Sequence, residues 1–388
     1  MASHASHLVR LRSTQLALVV GLAIALLGSA LAFTNSSTVN AAALSTAAMG
    51  SSGASYCYGE VLVPQRNADS ATVINQATDL ITQTVGVGAL PSSVTYSGNG
   101  RLAFVGDDGA QSITVIDTSN NTVLRTLQID QRIFRVVSNY DGSDIWAVAY
   151  LYPNFNLLRI DSTTGSVLAT LSVQNSPLDF VLSPNQTTLW VFESSYPDTL
   201  VQELDAATLT ITSTTQVPAF TYQVAINPSG TTIYMPNISG GGITAFDTQT
   251  LTTTTFGPTI SYYFGSAISP DGTKLYTVGF DSAYETYAFD LSNNTWTVGA
   301  DLAPVAQIGY LLYGMAITAD GSKLYITNMN YAAGGLLVVE TANLNSASFI
   351  PTEIYARPAA CPLTSDPDAP VTTTTAATTD PVVPAFTA

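Results

Sequence analysis

The sequence predicts an all-β fold, a seven-bladed β-propeller of four-stranded blades, closed by N- and C-terminal strands that share one blade. Two periodic series carry that expectation. In the first, Ala267-Ile268 and Leu275-Tyr276 flank the tight turn Ser269-Pro270-Asp271-Gly272, in which Pro fixes φ, Asp bonds the local backbone and Gly accepts a positive φ. In register, its copies are Ser97-Gly98-Asn99-Gly100, Asn139-Tyr140-Asp141-Gly142, Ser183-Pro184-Asn185-Gln186, Asn227-Pro228-Ser229-Gly230 and Thr318-Ala319-Asp320-Gly321. Their last positions lie 42 to 49 residues apart, the period of a propeller blade. In the second series, runs such as Ile113-Thr114-Val115-Ile116 and Ile243-Thr244-Ala245-Phe246 end in a polar turn former, at Asn75, Asp117, Asp161, Asp205, Asp247, Asp290 and Glu340. Seven ends give seven blades. An Asp at this position caps its own turn, and the repeat puts the seven on separate blades, so they are not a metal cluster.

Tyr325-Ile326-Thr327-Asn328, Ser269-Pro270-Asp271-Gly272 and Ile113-Thr114-Val115-Ile116-Asp117-Thr118 together resemble the YVTN-type β-propeller repeat family of secreted and surface-layer proteins, related in fold to lactonase-like seven-bladed propellers. The resemblance runs from about Tyr58 to Arg357. It implies the fold and an extracellular setting. It implies no activity, because the matching residues build turns and blade packing.

Residues 1–43 read as a targeting segment: His4, His7, Arg10 and Arg12 make a polar, basic start, and Leu16 to Phe33 is uncharged and mostly apolar. It is either a signal peptide, cleaved after Ala32 or Ala43, or an N-terminal anchor, and both place the propeller outside the cytoplasm. A linker follows over 44–54, the propeller is expected over 55–361, and 362–388 is a Thr- and Pro-rich tail that reads as a flexible stalk.

Without the leader, nine of the eleven basic residues remain against all 27 acidic ones. That charge argues against nucleic acid as a partner, since phosphate binding relies on Lys and Arg. Four Asn-X-Ser/Thr triplets, at Asn120, Asn185, Asn237 and Asn293, fall in or near predicted turns and are candidates for glycosylation.

The two cysteines bracket the ring. Blade 1 has its second, third and fourth strands over Glu60–Val63, Ala71–Asn75 and Ile81–Val85 but no innermost strand upstream, so a C-terminal strand around Ile354 to Ala359 is expected to supply it. Cys57 and Cys361 then face each other and are expected to form a disulfide in an oxidising compartment; the alternative is two free thiols.

His4 and His7 are the only histidines, so the mature ring lacks histidine triads, histidine bases and histidine metal ligands. No cofactor or metal is expected. Carboxylate chemistry is left to Asp107 with Asp108, Glu193, Asp281 and Glu285, all near the ends of second strands or in the loops after them, and adjacent loop carboxylates are usually a solvated turn or a weak cation site.

The functional signal is aromatic. Loops entering the innermost strands place Phe134, Phe180, Phe220, Tyr222, Tyr262, Tyr263, Phe264, Tyr310 and Tyr313 on one face, and loops after the second strands add Tyr152, Phe155, Tyr196, Tyr284 and Tyr331. Such rings suit sugars, peptides or a protein partner, and Arg132, Arg135 and Asp179 are placed to orient a ligand. The expected function is a secreted or cell-surface binding module for a glycan or protein. A structural envelope protein is the alternative, with a histidine-independent enzyme behind it.

Overall fold

The computed structural model describes residues 51–52, 56–57, 59–306, 308, 312–329 and 334–352, with only the backbone at 51–52, 56–57 and 313. Two short strands come first, β1 (Ser51–Ser52) and β2 (Tyr56–Cys57). Seven blades follow, each a sheet of consecutive strands. Blade 1 is β3 (Glu60–Gln65), β4 (Ser70–Asn75) and β5 (Leu80–Gly86); blade 2 is β6 (Pro91–Tyr96), β7 (Leu102–Asp107), β8 (Ser112–Asp117) and β9 (Thr122–Gln128). Blade 3 is β10 (Arg132–Ser138), β11 (Asp144–Leu151), β12 (Asn154–Asp161) and β13 (Val167–Val173). Blade 4 is β14 (Pro177–Leu182), β15 (Thr188–Ser195), β16 (Asp198–Asp205) and β17 (Ile211–Val217). Blade 5 is β18 (Ala225–Ile226), β19 (Thr232–Pro236), β20 (Gly241–Asp247) and β21 (Thr253–Ile260), and blade 6 is β22 (Tyr262–Ile268), β23 (Lys274–Phe280), β24 (Tyr284–Asp290) and β25 (Thr295–Asp301). Blade 7 is β26 (Leu312–Thr318), β27 (Lys323–Asn328), β28 (Gly335–Glu340) and β29 (Ala347–Pro351). Within each blade the pairing is antiparallel. Blade 1 shows three strands among the described residues, and the segment expected to complete it, like Cys361, lies outside them.

The two turn series have the geometry their residues require. In every first-to-second-strand turn the last residue has a positive φ, between 63° and 76°, at Gly100, Gly142, Gln186, Gly230, Gly272 and Gly321. The prolines interlock the turns around the ring: a Cβ on Gly230, Gly272 or Gly321 would lie 3.1–3.3 Å from Cδ of Pro184, Pro228 or Pro270 in the preceding blade. In the third-to-fourth-strand turns, Asp117, Asp161, Asp205, Asp247 and Asp290 accept backbone N–H groups two or three residues on through Oδ1. The Thr208 and Ser292 hydroxyls first, then backbone N–H groups, hold Asp205 and Asp290 below the usual carboxylate range, and the N–H and hydroxyl of Thr164 and of Thr250 do the same for Asp161 and Asp247.

The core lies between blades, where apolar residues of successive sheets form separate clusters. Blade 1 packs on blade 7 in the same way: Val61, Val63 and Ile74 meet Ala316, Tyr325, Leu336 and Val338. Asp79 of blade 1 reinforces that closure, with Lys323 Nζ 2.7 Å away and Tyr325 Oη donating at 2.8 Å.

The extra strands correct the sequence reading, which put 44–54 in a linker and the first strand at Glu60. β1 pairs in parallel with β14, Ser51 opposite Val181, and β2 with β26, Cys57 opposite Thr318. Both use the channel-facing edge of an innermost strand. Two-residue strands have no alternation to read.

Candidate functional site

Most innermost strands are bulged near their start, with register shifts at Pro91/Ser93, Ile133/Arg135, Pro177/Asp179, Tyr263/Ser266 and Leu312/Gly314. A bulge re-aims the side chains beside it. Just past the break, blades 2, 3, 4 and 6 carry a buried polar residue, Ser93, Arg135, Asp179 and Ser266.

The polar residues seal the channel end. Arg135 and Asp179 are buried, with Arg135 Nη2 2.6 Å from Asp179 Oδ1, and Asp179 Oδ2 accepts the Val224 N–H of blade 5 at 2.8 Å. Gln223 then bridges to blades 6 and 7, accepting the Ser266 N–H at 2.8 Å and donating to Met315 O at 3.3 Å. Gly265 makes room for it, since a Cβ there would lie 2.5 Å from Gln223 Oε1. Burial pushes the Arg135 guanidinium down and the Asp179 carboxyl up to about 6 despite their mutual attraction. Arg135 and Asp179, expected to orient a ligand, are therefore structural. Phe180 and Tyr263 are corrected likewise: both are fully buried between blades, Phe180 against Leu182 and Val191, Tyr263 against Tyr287 and Phe289 with its hydroxyl donating to Pro258 O at 2.9 Å.

The aromatic residues that do reach the loop face form three groups. On blade 3, Phe134, Tyr150 and Phe155 touch one another and Tyr152 packs on Tyr150, with centroids 4.9–6.4 Å apart. Arg132 lies over the Phe134 ring, 5.2 Å from its centroid, and is held by two bonds to Asp108, 2.6 Å from Nε and 3.0 Å from Nη2. Asp108 is buried and also accepts Arg66 of blade 1 at 2.6 Å, so a carboxylate fixed between two guanidiniums orients the cation. On blades 4 and 5, Tyr196 packs edge-on against buried Phe220, which meets Tyr222, a phenol raised to about 12 by burial. On blade 6, Tyr262, Phe264, Tyr284 and Phe280 form a closed cluster in which each ring touches two others, with centroids 4.6–6.5 Å apart.

Two rings stand clear of the surface. Tyr152 is 65 % exposed and Tyr196 59 %, each followed by a cis proline, at the tips of neighbouring second-to-third-strand hairpins. Tyr310 and Tyr331 lie outside the described residues, as does the Tyr313 side chain. Tyr150 and Phe280 sit at the centres of their groups yet were not expected, because they belong to the ends of second strands and carry no loop signal.

The carboxylates are engaged in local bonds. Asp107 accepts Ser112 and Thr114 hydroxyls at Oδ2 while Oδ1 is buried without a partner, and burial raises its carboxyl to about 7. Glu193 is raised by burial, with Oε2 taking the Asn175 N–H and Oε1 unpartnered. Asp281 accepts Ser261, and Glu285 accepts the Tyr287 hydroxyl. Among the described residues no three His, Cys, Asp or Glu side chains are grouped to hold a metal ion. At all four glycosylation candidates, Asn120, Asn185, Asn237 and Asn293, Oδ1 accepts both the N–H and the hydroxyl of the Ser or Thr two residues on.

No protein-family model matches the chain, and no curated protein matches it in sequence. Solved structures match the fold. A functionally unknown protein from Desulfotomaculum acetoxidans superposes with a TM-score of 0.61 at 15% identity, covering 76% of this chain and 99% of its own. Hydrazine synthase from Kuenenia stuttgartiensis gives 0.56 at 13% identity, covering 76% and 93%, and dihydro-heme d1 dehydrogenase NirN in complex with DHE gives 0.55 at 13%, covering 78% and 74%. At these identities the likeness is one of fold, and it agrees with the seven blades.

Proposed function

We propose that the chain is a secreted or cell-surface propeller that binds a glycan or a protein through the aromatic face of blades 3 and 4; the extracellular setting is what its resemblance to YVTN-type repeat proteins implies. The observation that carries this reading is the blade 3 platform: four touching rings, one of them largely exposed, beside an Arg held in place by a buried carboxylate. A preorganised aromatic surface loses few rotamers on binding, and a fixed guanidinium supplies directional donors to hydroxyl or carbonyl oxygens. The Cys57–Cys361 disulfide and glycans at the four Asn sites belong to the same extracellular reading, and peptide mapping under non-reducing conditions tests both.

The binding test is a screen of the purified protein on glycan and peptide arrays beside Tyr152→Ala and Tyr196→Ala. Both rings are exposed, so their removal leaves the ring folded. A ligand whose signal falls in the variants supports the reading; signals unchanged in both overturn it.

A further inference from the structure

The outermost strands of the blades are edges, and an edge strand offers unpaired N–H and C=O groups to any other strand. Natural sheets blunt such edges with charge, proline or a bulge. Four blades add charge or proline along the strand: β9 carries Arg125, β21 Pro258, β25 Asp301 and β29 Pro351. β5 reads LITQTVG, β13 VLATLSV and β17 ITSTTQV, without one charged residue or proline. Their one bulge lies in the first residues of each strand, and 83–86, 169–173 and 213–217 beyond it pair regularly with the neighbouring strand.

These strands also expose apolar side chains where they leave the preceding turn. Leu80 is 64 % exposed, Leu168 49 % and Ile211 41 %, with Ile81 and Val167 beside the first two. Elsewhere the chain has a formal charge of −16, so two copies repel over most of their surface. The uncharged edges are where like meets like without that repulsion.

We infer that the outer edges of blades 1, 3 and 4 are lateral contacts for a second copy of this chain, joined by strand pairing and by the exposed Leu, Ile and Val residues. With more than one such edge per ring, association does not stop at a dimer but extends from copy to copy. The contact lies on the rim, apart from the aromatic face, so neither reading depends on the other.

The test is sedimentation velocity of the full chain over a wide concentration range at low and high salt. Average mass rises with concentration, and more steeply at high salt, where repulsion is screened. The combined variant Thr84→Lys, Thr170→Lys, Thr214→Lys changes exposed residues at the middle of the three strands and remains a monomer with an unchanged thermal midpoint. Thr126→Lys, on the already charged β9, assembles like the wild type. As an independent readout, amide exchange in β5, β13 and β17 slows as concentration rises. A wild type that stays monomeric throughout overturns the inference, and so does a triple Lys variant that assembles like it.

Discussion

Replacing Asp179 by Asn keeps a side-chain oxygen for the Val224 N–H but removes the charge facing Arg135. Arg135 is then left fully buried, with Nε and Nη1 already lacking acceptors. A guanidinium does not shed its proton at ordinary pH, so the loss is that of an uncompensated buried charge, about 3–5 kcal/mol. For a propeller of about 300 residues that lowers the midpoint by roughly 5–8 °C. The reverse change, Arg135→Met, costs less, because Asp179 can take up a proton. Its carboxyl, at about 6 with Arg135 present, rises further once the cation is gone. A carboxyl whose folded pKa is raised contributes stability at low pH that is lost as pH rises toward that pKa, so Arg135→Met is tolerated near pH 5 and loses stability toward pH 8. The double variant Arg135→Met, Asp179→Asn recovers most of the loss, since neither charge remains. Thermal and urea unfolding of the four proteins at both pH values measures this. Equal, small effects of both single variants, below about 1 kcal/mol and independent of pH, refute the sealed ion pair.

Asp107→Asn tests the second buried carboxyl. With the wild-type group raised to about 7, its ionisation weakens the fold as pH rises from about 4 to 7, by up to about 4 kcal/mol. The Asn variant flattens that decline and is the more stable protein at pH 8, as read by thermal midpoints across pH. Gly272→Ala places a Cβ at φ +72° and 3.1 Å from Pro228, and should cost about 1–2 kcal/mol in urea unfolding, where an exposed strand substitution such as Thr126→Ala costs little. Tyr325→Phe removes the bond to Asp79 at the blade 1 to blade 7 junction and should cost about 1 kcal/mol, with faster amide exchange in β3 and β4.

The ring was legible because its signals are local and repeated. Pro-Asp-Gly turns and Asp-capped turns require particular φ values and backbone bonds, and both series recur at the blade period. What a loop residue does was less legible, because its role depends on where it falls relative to the bulge. Phe134 lies within the bulge of β10 and stays half-buried on the platform, whereas Phe180 lies past the bulge of β14, where Leu178 takes the equivalent position, and packs into the gap between blades. Arg132 and Arg135 are three residues apart, and the same bulge sends one to the surface and the other into the seal. Gln223 gave no sequence signal, since its partners, Ser266 N and Met315 O, are backbone groups of other blades.

The measurement that tests the binding reading most directly is a calorimetric titration of the strongest array ligand into the wild type, Tyr152→Ala and Trp296→Ala. Trp296 is an exposed aromatic on the outer strand of blade 6, away from the loop face. Loss of a platform ring is expected to cost about 2 kcal/mol, some thirtyfold in Kd, while Trp296→Ala leaves Kd unchanged. Equal affinity for the wild type and Tyr152→Ala, or an equal loss in Trp296→Ala, contradicts recognition by the blade 3 platform.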